Sequence, residues 1–552
     1  MTDRLRIALA QLNPVVGDIT GNLARARAAR DTAKDADLIL FSELFITAYP
    51  LEDLVLKPAL VADARAAIEA LAAETKTGPA ILIGAPWKDG GRLYNACLLL
   101  EGGRIAGHTF KVDLPNYGVF DEKRVFTAGP MPQPFNFRGI KIGVPVCEDI
   151  WTDTVARHLA DAGAEILAVP NGSPFEAGKE DLRIALANSR VKETGLPLIY
   201  LNQLGGQDEL VFDGASFVIN AGGAMPLSLP GWQERILVTD WARGANGQWA
   251  CAPGELAKTE DRASQVYHAM MLGLRDYVNK NRFPGVVLGL SGGIDSALSA
   301  AVAVDALGAS RVRCVMMPSR YTSQESLDDA AACAKYLGVQ LDNIPIEPAV
   351  DAFGAMLAPS FNGRAPDITE ENLQSRVRGV TLMALSNKFG HMVLSTGNKS
   401  EMSVGYATLY GDMCGGFNVL KDVYKTQVFA LSRWRNDHML ADAKGPRGAV
   451  MPERVITKPP TAELRPNQKD EDSLPPYETL DAILTHLVEE DMGIDAVAAR
   501  GFDRATVARV WRMLTLAEYK RRQAPPGVKI TRRTLSRERR YPITNRFDEA
   551  GS

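Results

Sequence analysis

The stretch from Val286 to Leu307 limits the fold more than any other part of this chain. Val286-Val287-Leu288-Gly289-Leu290 runs without a break into Ser291-Gly292-Gly293-Ile294-Asp295-Ser296 and then into an alanine-rich helical run. Strand, glycine turn and helix in that order form the unit from which parallel α/β sheets are wound. The glycines let backbone N–H groups approach an anion closely. The helix N-terminus adds roughly half a positive charge, so the turn suits a phosphate group. No lysine follows the glycines, so this is not the Gly-x-x-x-x-Gly-Lys-Ser/Thr loop that grips a transferring γ-phosphate. Asp295 stands in that region instead, and its carboxylate suits Mg²⁺ held against phosphates. A bare Gly-Gly turn with an Asp near a helix start reads equally well as an ordinary helix cap.

The segments around this unit repeat its logic. Strand-like Val312 to Met317, Leu341 to Ile346 and Met392 to Ser395 alternate with helical Ser296 to Leu307 and Ser323 to Leu337. The alternation predicts a doubly wound parallel sheet, entered by a helix near Glu260. From Lys458 onward the chain is rich in proline and charge, and pattern alone assigns it no fold.

Upstream, from Leu5 to about Thr239, short β-rich runs separated by amphipathic stretches predict a layered α/β domain. The candidate strands are 6–10, 38–41, 80–84, 96–100, 140–146, 166–169, 198–201 and 216–219. Gly102-Gly103 reads as a hairpin turn, which makes that sheet mixed. The weakly periodic stretch 240–258, with Gly244, Gly247, Pro253 and Gly254, reads as a linker. With 552 residues, more than one hydrophobic core serves, the expected organisation is a domain over 1–240, a linker over 241–259 and a second domain over 260–552.

Composition narrows the function class. A net charge of −4 creates no field that would gather nucleic acid or an anionic membrane, so small-molecule chemistry is the better expectation. No apolar run approaches membrane-spanning length and the first residues do not read as a signal segment, which leads to a cytoplasmic expectation. The six cysteines form no Cys-x-x-Cys pair and the six histidines do not cluster, so neither a disulfide framework nor a zinc site is indicated.

The full string Ser291 to Ser296 resembles the loop of the N-type ATP pyrophosphatases, which bind ATP and release pyrophosphate. A second string, Leu394-Ser395-Thr396-Gly397-Asn398-Lys399-Ser400-Glu401, follows another strand and supplies a further carboxylate. Three more strings, Glu371 to Arg376, Leu409 to Asp412 and Lys425 to Val428, join these two in resembling the NAD synthetase family. The likeness extends through Ala462 to Pro466 and Glu518 to Gln523. It implies that Gly289, Leu290, Ser291, Gly292, Gly293, Ile294, Asp295, Ser296 and Thr396 bind ATP. It also implies that Asn372, Glu401 and Lys520 contact deamido-NAD⁺, and that Asp295 and Glu401 hold Mg²⁺. The family reaction adenylates the nicotinate carboxylate and lets ammonia displace AMP. A free carboxylate resists attack, whereas an acyl-adenylate carries a good leaving group.

In the first half, Glu43, Lys111 and Cys147 each end a candidate strand or follow a hairpin, and strand ends on one sheet edge can converge on a pocket. A thiol needs a base before it can attack an amide carbonyl, and no histidine lies in a matching position. Glu43 is the candidate base and Lys111 the candidate stabiliser of the oxyanion. Singly, each also reads as a cap, a solvated strand end or core filler. Together they resemble the Glu-Lys-Cys triad of the nitrilase superfamily, which implies an α-β-β-α layered domain. Glu122 resembles the further glutamate found beside that triad. The strings Leu114 to Tyr117 and Asn171 to Phe175, followed by Lys179, look like the glutaminase domain of glutamine-dependent members. By that likeness Tyr117, Ser173 and Lys179 hold glutamine.

The joint expectation is a carbon–nitrogen ligase making NAD⁺ from deamido-NAD⁺ with glutamine-derived ammonia. Ammonia is mostly protonated at neutral pH, so direct internal passage to the acyl-adenylate is expected. Homo-oligomerisation is implied by resemblance alone. Two other readings stay open on the residues: a ligase for a different acid, and an assembly module whose triad is inert.

Overall fold

The computed structural model describes residues 3–466 and 468–549. They form two compact units divided between Glu260 and Asp261. Among the described residues no helix is long and apolar enough to cross a membrane.

The strands of the first unit, in chain order, are β1 (Arg4–Gln11), β2 (Leu38–Leu40), β3 (Ala80–Asp89), β4 (Arg92–Glu101), β5 (Arg104–Phe110), β6 (Phe135–Phe137), β7 (Ile140–Gly143), β8 (Ile166–Asn171), β9 (Leu198–Asn202), β10 (Leu204–Gln207), β11 (Leu210–Asp213), β12 (Phe217–Ile219), β13 (Leu227–Ser228), β14 (Arg235–Arg243) and β15 (Trp249–Cys251). One large sheet runs β15-β14-β1-β2-β3-β4-β5 and another β13-β12-β9-β8-β7-β6, while β10 and β11 pair with each other as a two-stranded antiparallel ribbon. Both large sheets are mixed: β1, β2 and β3 are parallel, as are β7, β8 and β9, and the edges are antiparallel. The Gly102-Gly103 turn joins β4 to β5 as expected. Leu5, Ile7, Leu38 and Leu82 from one sheet and Ile142, Ile166, Ile199 and Leu201 from the other share one buried cluster, which is the middle of the sandwich. Alternate residues of the first sheet, such as Ile39, Ile81 and Leu98, pack on Ala26, Ala29, Ile68 and Leu71 of helices Ile19–Thr32 and Pro58–Ala73. Leu167 and Tyr200 of the second sheet pack on Leu159, Ala187 and Val191 of helices Thr154–Asp161 and Lys179–Thr194. The two-residue period of a strand thus gives each sheet one face for its partner sheet and one for helices, an α-β-β-α sandwich.

The stretch read as a linker is corrected in part. β14 extends to Arg243, and β15 pairs antiparallel with it, placing Trp249 and Cys251 in the inter-sheet cluster. A strand of three residues is too short to show a period, so only pairing reveals it.

In the second unit, β16 (Val286–Gly289), β17 (Val312–Met316), β18 (Gln340–Asn343), β19 (Met392–Ser395) and β20 (Phe417–Asn418) form one sheet in the order β18-β17-β16-β19-β20, with every pair parallel. β18 ends before the expected Ile346, where Pro345 has no N–H to continue the ladder. The winding direction reverses between β16 and β19, so the crevice for a ligand lies beyond their carboxyl ends. The unassigned tail is helical: Leu480, Ile483, Val507, Val510 and Leu514 of helices Tyr477–Leu484 and Arg504–Leu516 bury against Met402, Val404 and Tyr424.

Candidate active sites

In the first unit, β2 turns at its carboxyl end into Glu43. A Cβ at Gly84 on the neighbouring β3 would overlap the Leu44 nitrogen, so only glycine lets the chain pass there. Lys111 follows β5 directly. Cys147 follows β7 in a short turn, Cys147–Ile150, with φ at +48°, a left-handed conformation that costs a non-glycine residue about 1–3 kcal/mol. Asp149 holds that turn in place. Its carboxylate accepts from the Val146 N–H at 2.9 Å and from the Val112 and Asp113 N–H groups at 2.9 and 2.8 Å, tying the cysteine turn to the chain after Lys111.

The three predicted residues come together in a fully buried cluster. Lys111 Nζ donates to Glu43 Oε1 at 2.7 Å and to Glu122 Oε1 at 2.8 Å. Glu43 Oε1 also accepts from Asn95 Nδ2 at 2.7 Å, and its Oε2 accepts from the Gly172 N–H at 2.9 Å. Tyr49 Oη donates to Glu122 Oε1 at 2.9 Å. Burial opposes a charge on Lys111, but Glu122 and Glu43 override it and hold its pKa well above the usual lysine value. Burial raises Glu122, with Lys111 opposing. Burial also pushes the Cys147 thiol well up, Glu43 adds to the push and Lys111 opposes it. The resting sulfur is therefore a thiol, and a neighbouring carboxylate must take its proton as it attacks.

The expected glutamine residues surround this cluster unevenly. Tyr117 is more than half exposed and donates to Glu148 Oε1 at 2.8 Å. Lys179 opens the helix Lys179–Thr194, with its amine 5.9 and 5.8 Å from the Phe120 and Trp151 ring centres, and its charge is felt by Glu148. Ser173 is buried and its hydroxyl already accepts from Arg183 Nε at 3.1 Å, while Arg183 pairs with both Asp213 oxygens at 2.8 Å. Sequence reasoning missed Glu148, Asn95 and Arg183. Glu148 was visible beside Cys147, and Asn95 as the one amide in the run Leu93 to Leu100.

In the second unit the glycine turn leaves β16 as predicted. A Cβ at Gly292, where φ is +84°, would overlap the Ser326 carbonyl oxygen. Ser291 Oγ bonds Ser296 Oγ at 3.1 Å and accepts from the Gly293 N–H at 3.2 Å, so the turn is braced from within. Gly289 through Ser296, Thr396 and Glu401 all line one cavity of about 290 Å³. Asn372 and Lys520 are not among its lining residues. Asn372 accepts from Thr408 Oγ1 at 2.9 Å, and Lys520 donates to the Gly405 and Ala407 carbonyls at 2.8 and 2.7 Å, so the two meet on the 405–408 segment instead.

Lys425, at the start of the Lys425 to Val428 string, bridges the expected metal carboxylates: its Nζ donates to Asp295 Oδ2 at 2.5 Å and to Glu401 Oε1 at 3.2 Å. Asn398 Nδ2 fixes Asp295 Oδ1 at 2.8 Å. Burial raises the Glu401 carboxyl, Lys425 opposes that and Asp295 adds to it. Two carboxylates on one wall of a cavity suit Mg²⁺, an oxygen-seeking ion whose other ligands are usually phosphate and water. Among the described residues no group of three or more His, Cys, Asp or Glu side chains could hold a metal alone. Lys399 turns away from this cavity, where its amine is buried against Asp422, Glu489 and Thr531 at 2.9, 3.1 and 2.6 Å and pins the tail to the core.

Residues 6–250 match the carbon–nitrogen hydrolase family and residues 266–524 the NAD synthase family, so fold and sites define a hydrolase unit fused to a nucleotide-activating synthase unit. The chain is 53% identical to the glutamine-dependent NAD(+) synthetase of Rhodobacter capsulatus, with 99% of each chain covered, and 48% identical to that of Xanthomonas campestris pv. campestris, with 98% of each covered. It also matches the structure of the Acinetobacter baumannii glutamine-dependent NAD⁺ synthetase in complex with ADP, with a TM-score of 0.78 at 44% identity over 98% of this chain and 99% of that one. The chain belongs to the glutamine-dependent NAD(+) synthetase family.

Proposed function

We propose that this chain converts deamido-NAD⁺ to NAD⁺ with ATP and glutamine, forming an acyl-adenylate and releasing AMP, pyrophosphate and glutamate. It is a ligase that uses glutamine as amido donor. The observation that carries the division of labour is the pair of lysine-bridged carboxylate sites: Lys111 with Glu43 and Glu122 beside Cys147, and Lys425 with Asp295 and Glu401 beside the glycine turn.

In the first unit Glu43 takes the thiol proton as Cys147 attacks the glutamine amide carbon. Lys111 faces the oxygen that becomes negative, and the protonated Glu43 returns a proton to the leaving ammonia, which leaves a glutamyl thioester on Cys147. Water then attacks that thioester, Glu43 takes its proton and returns it to the departing sulfur, and glutamate is released. A base is required because burial keeps the thiol protonated. Lys179 pairs with the α-carboxylate of glutamine and Glu148 with its α-ammonium, with Tyr117 and Ser173 bounding the pocket.

In the second unit the N–H groups of Ser291 to Ser296 and Thr396 receive ATP, and Asn372, Glu401 and Lys520 face deamido-NAD⁺. Asp295 and Glu401 would hold Mg²⁺, which would neutralise charge on the departing pyrophosphate. Lys425 presents its ammonium to the same phosphates. Ammonia passes internally to the acyl-adenylate, and the enzyme works in the cytoplasm as a homo-oligomer.

The test is conversion of deamido-NAD⁺ with ATP, comparing glutamine with ammonium and scoring AMP plus pyrophosphate against ADP plus phosphate. NAD⁺ with AMP from both nitrogen sources is expected, and ADP or a preference for another nucleotide acid would overturn the reading. Full suppression of glutamine-driven synthesis by an ammonia-scavenging system would overturn internal passage.

A further inference from the structure

The interior face of β4 carries one amide where the fold asks for an apolar side chain. Asn95 is buried within the run Leu93 to Leu100, and its backbone lies opposite Pro86 of β3. Its side chain makes one bond, Nδ2 to Glu43 Oε1 at 2.7 Å, and its Oδ1 is buried with no hydrogen-bond partner among the described residues. Its backbone carbonyl accepts the Lys111 N–H at 2.8 Å. One residue therefore touches two members of the triad, by main chain and by side chain. The amide orientation follows from Glu43, since a carboxylate oxygen accepts and only the nitrogen end can donate to it.

We infer that Asn95 is a positioning residue for the base Glu43. This rests on the reading of Glu43 as general base. Glu43 Oε1 then has two donors, Lys111 and Asn95, arriving from different strands, and Oε2 has one, the Gly172 N–H. Three donors fix the carboxylate plane, so the free lone pair of Oε2 has one direction in which to meet the thiol proton. Without Asn95, Oε1 is left to Lys111 alone, whose amine is shared with Glu122, and only the Gly172 N–H holds Oε2. The one contact of this side chain is thus to the triad: its Nδ2 donates to Glu43, and its Oδ1 bonds nothing among the described residues.

The charged and titratable groups facing Glu43 are Lys111, Cys147, Glu122, Glu148 and Tyr49. None of these is altered by Asn95→Leu, which keeps the branching at Cγ and removes both the donor and the unpartnered acceptor. The full-length variant should melt within a few degrees of the parent and keep its ammonium-driven rate. Glutamine-driven kcat should fall about ten- to a hundredfold with little change in the KM for glutamine. The acid limb of the glutamine-driven kcat/KM profile should move to higher pH, because an N–H donor favours the ionised carboxylate. Asn95→Asp should recover part of the rate only at acidic pH, where a protonated Asp can donate as the amide did.

An unchanged glutamine-driven rate in Asn95→Leu would overturn the inference. So would a rate loss that tracks a lowered melting temperature with the pH limb unmoved, which would make Asn95 a packing residue. If Asn95→Leu fails to fold, Asn95→Asp decides alone, and a rate independent of pH relative to the parent sinks the idea. Cys147→Ala run in parallel separates the layers: persistent glutamine use there removes the glutaminase reading itself, whereas loss there with none in Asn95→Leu removes only the role of Asn95.

Discussion

Lys111 is sealed between two carboxylates of its own chain, whereas Lys425 presents the same arrangement to a cavity of about 290 Å³. Both amines are held charged by their neighbours against the opposing effect of burial. The difference is in what remains to be satisfied. In the first unit the lysine already has both carboxylates within bonding distance, and one strained cysteine stands beside them. In the second, a braced turn of N–H groups and one bridging ammonium face open space large enough for phosphates. A catalytic triad can be paired within itself in advance, whereas a site that takes up a polyanion must leave its cations room.

The largest expected break between the two is Cys147→Ala. Glutamine-driven NAD⁺ formation should fall by on the order of 1,000-fold or more, with the ammonium-driven rate within about twofold of the parent. Loss of both would mean that the cysteine supports structure in more than its own unit. Gly292→Ala should act from the opposite side. Its Cβ meets the Ser326 carbonyl in a left-handed conformation, so NAD⁺ formation should drop about a hundredfold from either nitrogen source. Glutamate release from glutamine should persist in that variant. A Gly292→Ala enzyme that still makes NAD⁺ from ammonium at the parent rate would refute the placement of ATP on this turn.

Smaller effects sharpen the contrast. Asp149 accepts three backbone N–H groups that tie the cysteine turn to the lysine segment, so Asp149→Ala should lower the stability of the first unit by about 2–4 kcal/mol. Thermal melting should report the loss, and the ammonium assay should not. Tyr117 is solvent-facing and its single bond goes to Glu148, so Tyr117→Phe should raise the KM for glutamine only about two- to tenfold. An unchanged KM would move Tyr117 out of the glutamine pocket.

Much of both sites was legible because the informative signals are local. The turn at Ser291 to Ser296 announces itself through glycine spacing between a strand and a helix, and Glu43, Lys111 and Cys147 all fall where strands end. Asn372 and Lys520 were read as contacts to deamido-NAD⁺; they meet on the 405–408 segment, outside the lining of the cavity at the glycine turn, a pairing that only the fold reveals. Trp249 and Cys251 lay in what read as a linker, since a three-residue strand carries no period.

The sequence by itself determined the strand-turn-helix units, the alternation that makes one sheet parallel and the other pair mixed, and the identity of the reactive groups. These follow from φ/ψ preferences and side-chain period, which neighbours in the chain settle among themselves. Only the tertiary structure decided which carboxylate shares which amine. Asn95 reaches Glu43 across 52 residues, Lys111 reaches Glu43 across 68, and Lys425 reaches Asp295 across 130. Lys399 stands three residues from Thr396, yet packing turns it into the core. Pairings at such separations are set by sheet register and strand order, and a charge is buried only where the fold brings its partner.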